Sequence, residues 1–210
     1  MALEFLRRFP MRGRRILATG LLVILSLSFF IAHARAWHST HRPVGLGAMT
    51  LDLVTVTLFI IRRPPMVVSR SPVAWIVGII GAYGLLAARP HYEPVGNLGN
   101  VLTVVQLAAA TAASISLITL GRSFGIVAAN RGVRTVGPYS VVRHPAYAAY
   151  ILTVTAYVLE DPSWRNAIVI VAVATALLFR IREEESCLGE DPSYAEYRTR
   201  VRYRLLPFVF

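Results

Sequence analysis

The chain has 210 residues, 55% of them hydrophobic and 16% charged, with a mean hydropathy of +0.55, which is too apolar for an ordinary soluble domain. Its net charge is +11 and every one of its 22 basic residues is arginine. A basic balance can serve nucleic acid, but these arginines flank apolar runs, so they set membrane topology and meet anionic head groups instead.

In chain order, apolar runs over 16–33, 44–61, 72–88, 98–120, 146–159 and 166–181 predict six membrane segments, each approaching or reaching the ~20 residues a bilayer helix needs. The expected fold is an all-α, polytopic transmembrane helical bundle. Its last two segments form a helical hairpin, followed by a cytoplasmic helix beginning near Asp191-Pro192-Ser193. The segment 146–159 is short, rising ~21 Å at ~1.5 Å per residue. One membrane domain covers 1–210, with 1–97 as scaffold and a possible route for an acceptor, and 98–210 as the catalytic region.

The arginines orient this bundle. Arg7, Arg8, Arg12, Arg14 and Arg15 precede the first segment; Arg62, Arg63 and Arg70 follow the second; Arg122, Arg131, Arg134 and Arg143 follow the fourth; Arg180, Arg182, Arg198, Arg200, Arg202 and Arg204 follow the sixth. Only Arg35, Arg42, Arg89 and Arg165 fall on the other side. The positive-inside rule makes the richer side cytoplasmic and puts both termini there. The string Ala32-His33-Ala34-Arg35-Ala36 is similar to a signal cleavage site, but the apolar run before it exceeds the usual ~7–15 residues, so a retained first helix is expected.

Several polar features have a plain structural reading. Cys187 is the only cysteine, so no intramolecular disulfide or cysteine metal site exists. His33, His38 and His41 follow the first segment without a matching ligand pattern, and an exposed loop with no metal is expected. Asp52 and Gln106 are the main polar residues inside segments and read as isolated packing polars. Functional polarity gathers at one face instead, which argues against a transporter with midplane sites. The loop 121–139 is rich in glycine but follows no strand, so a dinucleotide-binding turn is rejected while backbone contacts to a ligand are expected.

Two clusters carry the chemistry. Arg143-His144-Pro145-Ala146-Tyr147 opens the last hairpin, and Arg180-Ile181-Arg182-Glu183-Glu184-Glu185 closes it, so folding brings them to one membrane surface. Pro145 suits a first helical turn. The helix N-terminus with Arg143 and His144 suits an anion such as a ligand carboxylate. Tyr147, Tyr150, Val154 and Tyr157 share a face at helical spacing. Arg180 with Glu184, and Arg182 with Glu185, are spaced to pair along a helix. Three acids at the exit of a bilayer helix oppose its dipole, so a cation or neighbouring arginine is expected there.

Arg143-His144-Pro145-x-Tyr147 followed by Glu184-Glu185 resembles the signature of the isoprenylcysteine carboxyl methyltransferase family, which integral-membrane phospholipid N-methyltransferases share. Gly137-Pro138-Tyr139, Arg180, Leu188 and the tail from Tyr194 and Tyr197 to Leu206-Pro207-Phe208 extend the likeness over about 120–210. Glu183 makes a triplet where the family has a pair, and the stretch 201–204 is unusually basic. The resemblance implies S-adenosylmethionine bound on the cytoplasmic side and methyl transfer to a lipophilic acceptor, with carboxyl O-methylation ahead of amine or phospholipid N-methylation. It places Arg143, His144, Pro145, Tyr147, Tyr139, Tyr197, Leu206 and Pro207 around the cofactor. It places Arg180, Glu184 and Glu185 at the reaction centre, Glu184 also touching the cofactor. A lipid or sterol reductase with a nicotinamide cofactor is the enzymatic alternative.

Overall fold

The structure is a computed structural model and describes residues 11–69, 71–88, 96–160 and 162–209. Arg7, Arg8, Arg70 and Arg89 of the topology argument lie outside them. Seven α-helices follow in order: α1 (Met11–Thr40), α2 (Val44–Ile61), α3 (Pro72–Tyr83), α4 (Gly96–Leu120), α5 (Pro145–Glu160), α6 (Trp164–Leu188) and α7 (Pro192–Arg200). Helices α1, α2, α4 and α6 are long and apolar enough to cross a membrane, and the protein is an integral membrane protein. The other two expected segments are shorter: α3 has 12 residues before a 3-10 turn over Gly84–Ala87, and α5 has 16, a rise of ~24 Å against a hydrocarbon core of ~30 Å.

Local chemistry sets the boundaries. Ser71 caps α3 by accepting from the Ala74 N–H, and Ser163 caps α6 by accepting from the Asn166 N–H. Pro72, Pro145 and Pro192 stand at helix starts, where no N–H is needed. The pair Pro64-Pro65 follows α2 and cannot continue it. Helix α1 runs past 33 to Thr40, so His33 and His38 are helical, and the loop expected there does not form. The alanines that mimic a cleavage site are strong helix formers, and the chain turns only at His41, with φ 50°. No group of residues able to hold a metal occurs among the described residues.

Helix α6 likewise runs beyond 181 to Leu188. The three acids therefore sit inside the helix, where Arg143 and Arg204 from other elements meet Glu185 and Arg180 of α6 itself pairs with Glu184.

A two-residue antiparallel ladder, β1 (Val67–Val68) with β2 (Ala129–Asn130), escapes the sequence reading because two residues carry no periodicity. It fastens the α2–α3 connection to the long loop after α4. That loop closes over α3, where a Cβ on Gly78 would stand 2.8 Å from the Ile126 carbonyl oxygen.

Helix α4 packs on α5 and α2, α1 on α2, and α3 on α6. One core cluster gathers Leu58, Phe59, Leu117, Phe124, Ile126 and Ala146; a second gathers Tyr147, Val154, Val173, Leu177, Ile181 and Leu205. At the end of the bundle away from the Arg-His-Pro turn, Glu160 is 5% exposed. It accepts from Arg42 Nη2 at 2.5 Å and from Gln106 Nε2 at 2.6 Å, so Gln106 is no isolated polar residue. Arg42→Gln should lower the Tm in detergent by the equivalent of about 2 kcal/mol. That is below the ~3–5 kcal/mol of a fully buried pair, because Arg42 is itself 36% exposed. Glu160→Gln should cost less, since the amide keeps a partner in Gln106.

Candidate active site

Helix α5 begins where the chain leaves a 3-10 turn at Gly137–Ser140, and α6 returns beside it. This hairpin brings the two sequence clusters together. Glu184 accepts from Arg180 Nε at 3.1 Å and from the Tyr147 phenol. The other oxygen of Glu184 lies 3.9 Å from His144 Nδ1. Arg180, 5% exposed, also donates from Nη2 to the Gly125 carbonyl at 2.6 Å. Its guanidinium carbon lies 5.0 Å from the centre of the Tyr147 ring, and that ring stacks on His144 at 5.6 Å and 7°. Three elements thus hold one guanidinium and one carboxylate.

Glu185 faces elsewhere. It accepts from Arg143 Nε at 2.8 Å, from Arg204 Nε and Nη2 at 3.0 and 2.8 Å, and lies 3.4 Å from His144 Nε2. Arg143 Nη1 donates to the Val201 and Arg202 carbonyls. The backbone N–H groups of Arg143 and His144 donate to the Tyr203 and Arg204 carbonyls at 2.9 and 2.8 Å. The anion site expected at this helix start is therefore filled by the protein's own C-terminal segment. The pair expected between Arg182 and Glu185 does not form; Arg182 lies over Phe179 instead.

A cavity of about 330 Å³ opens against the Arg180–Glu184 wall. Arg143, His144, Tyr147, Tyr139, Tyr197, Arg180 and Glu184 line it; Pro145, Glu185, Leu206 and Pro207 do not. None of Leu205, Leu206, Pro207 and Phe208 is in the lining. Leu205 is buried against Tyr147, while Leu206 is 55% exposed and a turn at Phe208, with φ 67°, carries the chain outward. Tyr157, the last of the α5 stripe, is also absent from the lining, whereas Tyr150 and Val154 are present.

On the tail side, Tyr197 donates to the Tyr139 carbonyl at 2.6 Å. Burial pushes the Tyr197 phenol up to about 12, so it stays a neutral donor. Burial, and then the nearby Glu184 carboxylate, also raises the Tyr139 phenol. Asp191 caps α7 and accepts from Asn130 at 2.9 Å. That bond, with those from Ser193, holds its carboxyl below the usual range. The glycine-rich loop does reach the cavity, through Gly125, Ile126, Arg131 and Arg134 among others.

The sequence reading missed the N-terminal half of the lining: Ser26, Phe29, His33, Asp52 and Tyr83. The available signal was an acid and a histidine inside neighbouring apolar segments. His33 Nδ1 lies 2.7 Å from Asp52 Oδ2, so Asp52 is not isolated either.

No curated protein matches the chain. It is similar to the eukaryotic intramembrane Ras methyltransferase ICMT (isoprenylcysteine carboxyl methyltransferase), solved without a monobody. That likeness has 20% identity and a TM-score of 0.47 over 98% of this chain and 81% of that one, too loose to bear on the site. The family model for isoprenylcysteine carboxyl methyltransferases matches residues 101–190. Both polar clusters lie inside that stretch, over which the chain is similar to the isoprenylcysteine carboxyl methyltransferase family.

Proposed function

We propose that the protein is an S-adenosylmethionine-dependent methyltransferase acting on a lipophilic carboxylate at the cytoplasmic face of the membrane, with both termini on that side. The observation that carries this reading is the Arg180–Glu184–Tyr147 unit on a cavity wall inside the family segment. When bound, the cofactor supplies an electrophilic methyl group on a sulfonium cation.

The residues present fit such a group. Among the described residues, one oxygen of Glu184 has no partner closer than 3.9 Å, which suits an ammonium. Arg131 and Arg134 on the cavity rim suit a carboxylate. A carboxylate acceptor is already nucleophilic, so the protein need only align it and exclude water. Arg180 would orient that carboxylate by a charge-assisted hydrogen bond. Residues 98–210 form the catalytic region, and α1, α2 and α3 line the cavity on its far side. Arg143, Pro145 and Glu185 act by positioning the hairpin.

Calorimetric titration of detergent-purified protein should show binding of S-adenosylmethionine and none of a nicotinamide cofactor. Membranes given labelled cofactor should acquire base-labile label in a lipophilic carboxylate. Absence of cofactor binding, or base-stable label, would overturn the carboxyl reading.

A further inference from the structure

The cavity has a second polar wall that methyl transfer does not use. On α1, Ser26, Phe29 and His33 recur at helical spacing on the cavity side; on α2, Asp52, Thr55 and Phe59 do the same. His33 Nδ1 lies 2.7 Å from Asp52 Oδ2; in the neutral tautomer with its proton on Nδ1, the ring donates to the carboxylate and Nε2 can accept. The Phe29 ring packs between His33, at 6.4 Å, and Tyr83, at 5.5 Å. Ser26 is 3% exposed. The hydroxyls of Ser26 and Tyr83 interact with one another and have no other hydrogen-bond partner among the described residues, so the pair has one proton left to offer. Thr55 differs, because its hydroxyl is spent on the Leu51 carbonyl.

A buried hydroxyl proton without a partner is costly, and a carboxylate inside a bilayer helix is more so. A clamp between α1 and α2 would explain the His33–Asp52 pair alone. It would not explain Ser26 or the Tyr83 hydroxyl, which comes from α3. Together the three elements present one acceptor, His33 Nε2, and one donor, from the Ser26–Tyr83 pair. A carbonyl or ether oxygen would answer only the donor, and an ammonium only the acceptor. A hydroxyl answers both.

We propose that Ser26, His33, Asp52 and Tyr83 form a subsite for a hydroxyl carried part-way along the acceptor's lipophilic chain, remote from the methylated atom. The inference rests on the reading that this cavity takes a lipophilic carboxylate. The two poles line one cavity, as does Tyr150. The acceptor class is then a hydroxylated long-chain acid rather than one with a plain hydrocarbon tail.

The test compares stearate with its mid-chain monohydroxy derivative, titrated by calorimetry into full-length protein in detergent. The wild type should bind the hydroxylated acid about tenfold more tightly, which is ~1.4 kcal/mol. The preference should vanish in the Ser26→Ala, Tyr83→Phe double variant, which loses only two oxygens. Equal binding of the two acids, binding of neither, or a preference that survives the double variant overturns the proposal. S-adenosylmethionine is titrated in parallel. Its failure to bind would overturn the methyltransferase reading, whereas normal cofactor binding without a hydroxyl preference would overturn the subsite alone.

Discussion

Arg180→Lys should reduce methyl transfer by about 10²–10³-fold, the range seen when one preorganised donor is removed from a reaction centre, while cofactor affinity changes little. The guanidinium here does three things at once. It pairs with Glu184 through Nε, holds the Gly125 carbonyl through Nη2 and lies over the Tyr147 ring. A lysine keeps the charge but not the planar fork. Its single ammonium can satisfy Glu184 or Gly125, and the loop that walls the cavity loses one anchor. Glu184→Gln should behave differently. It preserves shape and removes the negative charge, so cofactor binding should weaken about tenfold, roughly 1.4 kcal/mol, with a further loss in turnover. Separate measurement of cofactor Kd and single-turnover rate distinguishes the two. If Arg180→Lys lowered cofactor affinity and left the transfer step intact, Arg180 would belong to the cofactor and not to the acceptor.

The membrane character of the fold was legible because apolar runs of bilayer length are long-range, redundant signals, and proline, glycine and arginine mark their ends. The meeting of the 143–147 and 180–185 clusters was legible for the same reason: a hairpin of two apolar helices returns its ends to one place. The division of labour within the acid triplet was not. Successive residues on α6 point about 100° apart, so Glu183, Glu184 and Glu185 meet different surroundings. Among the described residues Glu183 reaches Ser69, at 3.4 Å, Glu184 faces the cavity, and Glu185 faces the tail. Nothing in the order Glu-Glu-Glu states how the helix is rotated. Which tail residue is buried was not legible either, since a short stretch with no period can bury Leu205 or Leu206 equally well in sequence terms, and it is Leu205 that packs into the core. The His33–Asp52 pair was invisible because it joins two helices whose relative register is fixed by packing, and because α1 continues where an apolar count ends.

Glu185→Gln should be the most damaging single change to the fold of the catalytic half. The carboxylate is 8% exposed and answers Arg143 and Arg204 directly, with His144 close by. Neutralising it leaves Arg143, itself 9% exposed, as a buried cation with only carbonyl partners. Breaking a buried pair in this way costs about 3–5 kcal/mol, with a discount on the Arg204 side, which is 38% exposed. The segment from Val201 to Leu205 is held by Arg143 and by the two backbone bonds at the start of α5, so it should detach first. Limited trypsin digestion should then cut at Arg202 and Arg204 in the variant well before it cuts the wild type, and the Tm in detergent should fall. Glu183→Gln, which disturbs one long contact to Ser69, should leave digestion and Tm unchanged. The comparison also decides what Glu185 is for. A Glu185→Gln protein with wild-type Tm and protease resistance but no turnover would place Glu185 at the reacting atoms. Early cleavage with loss of cofactor affinity would make it a positioning residue, which shapes the site by holding the tail against α5.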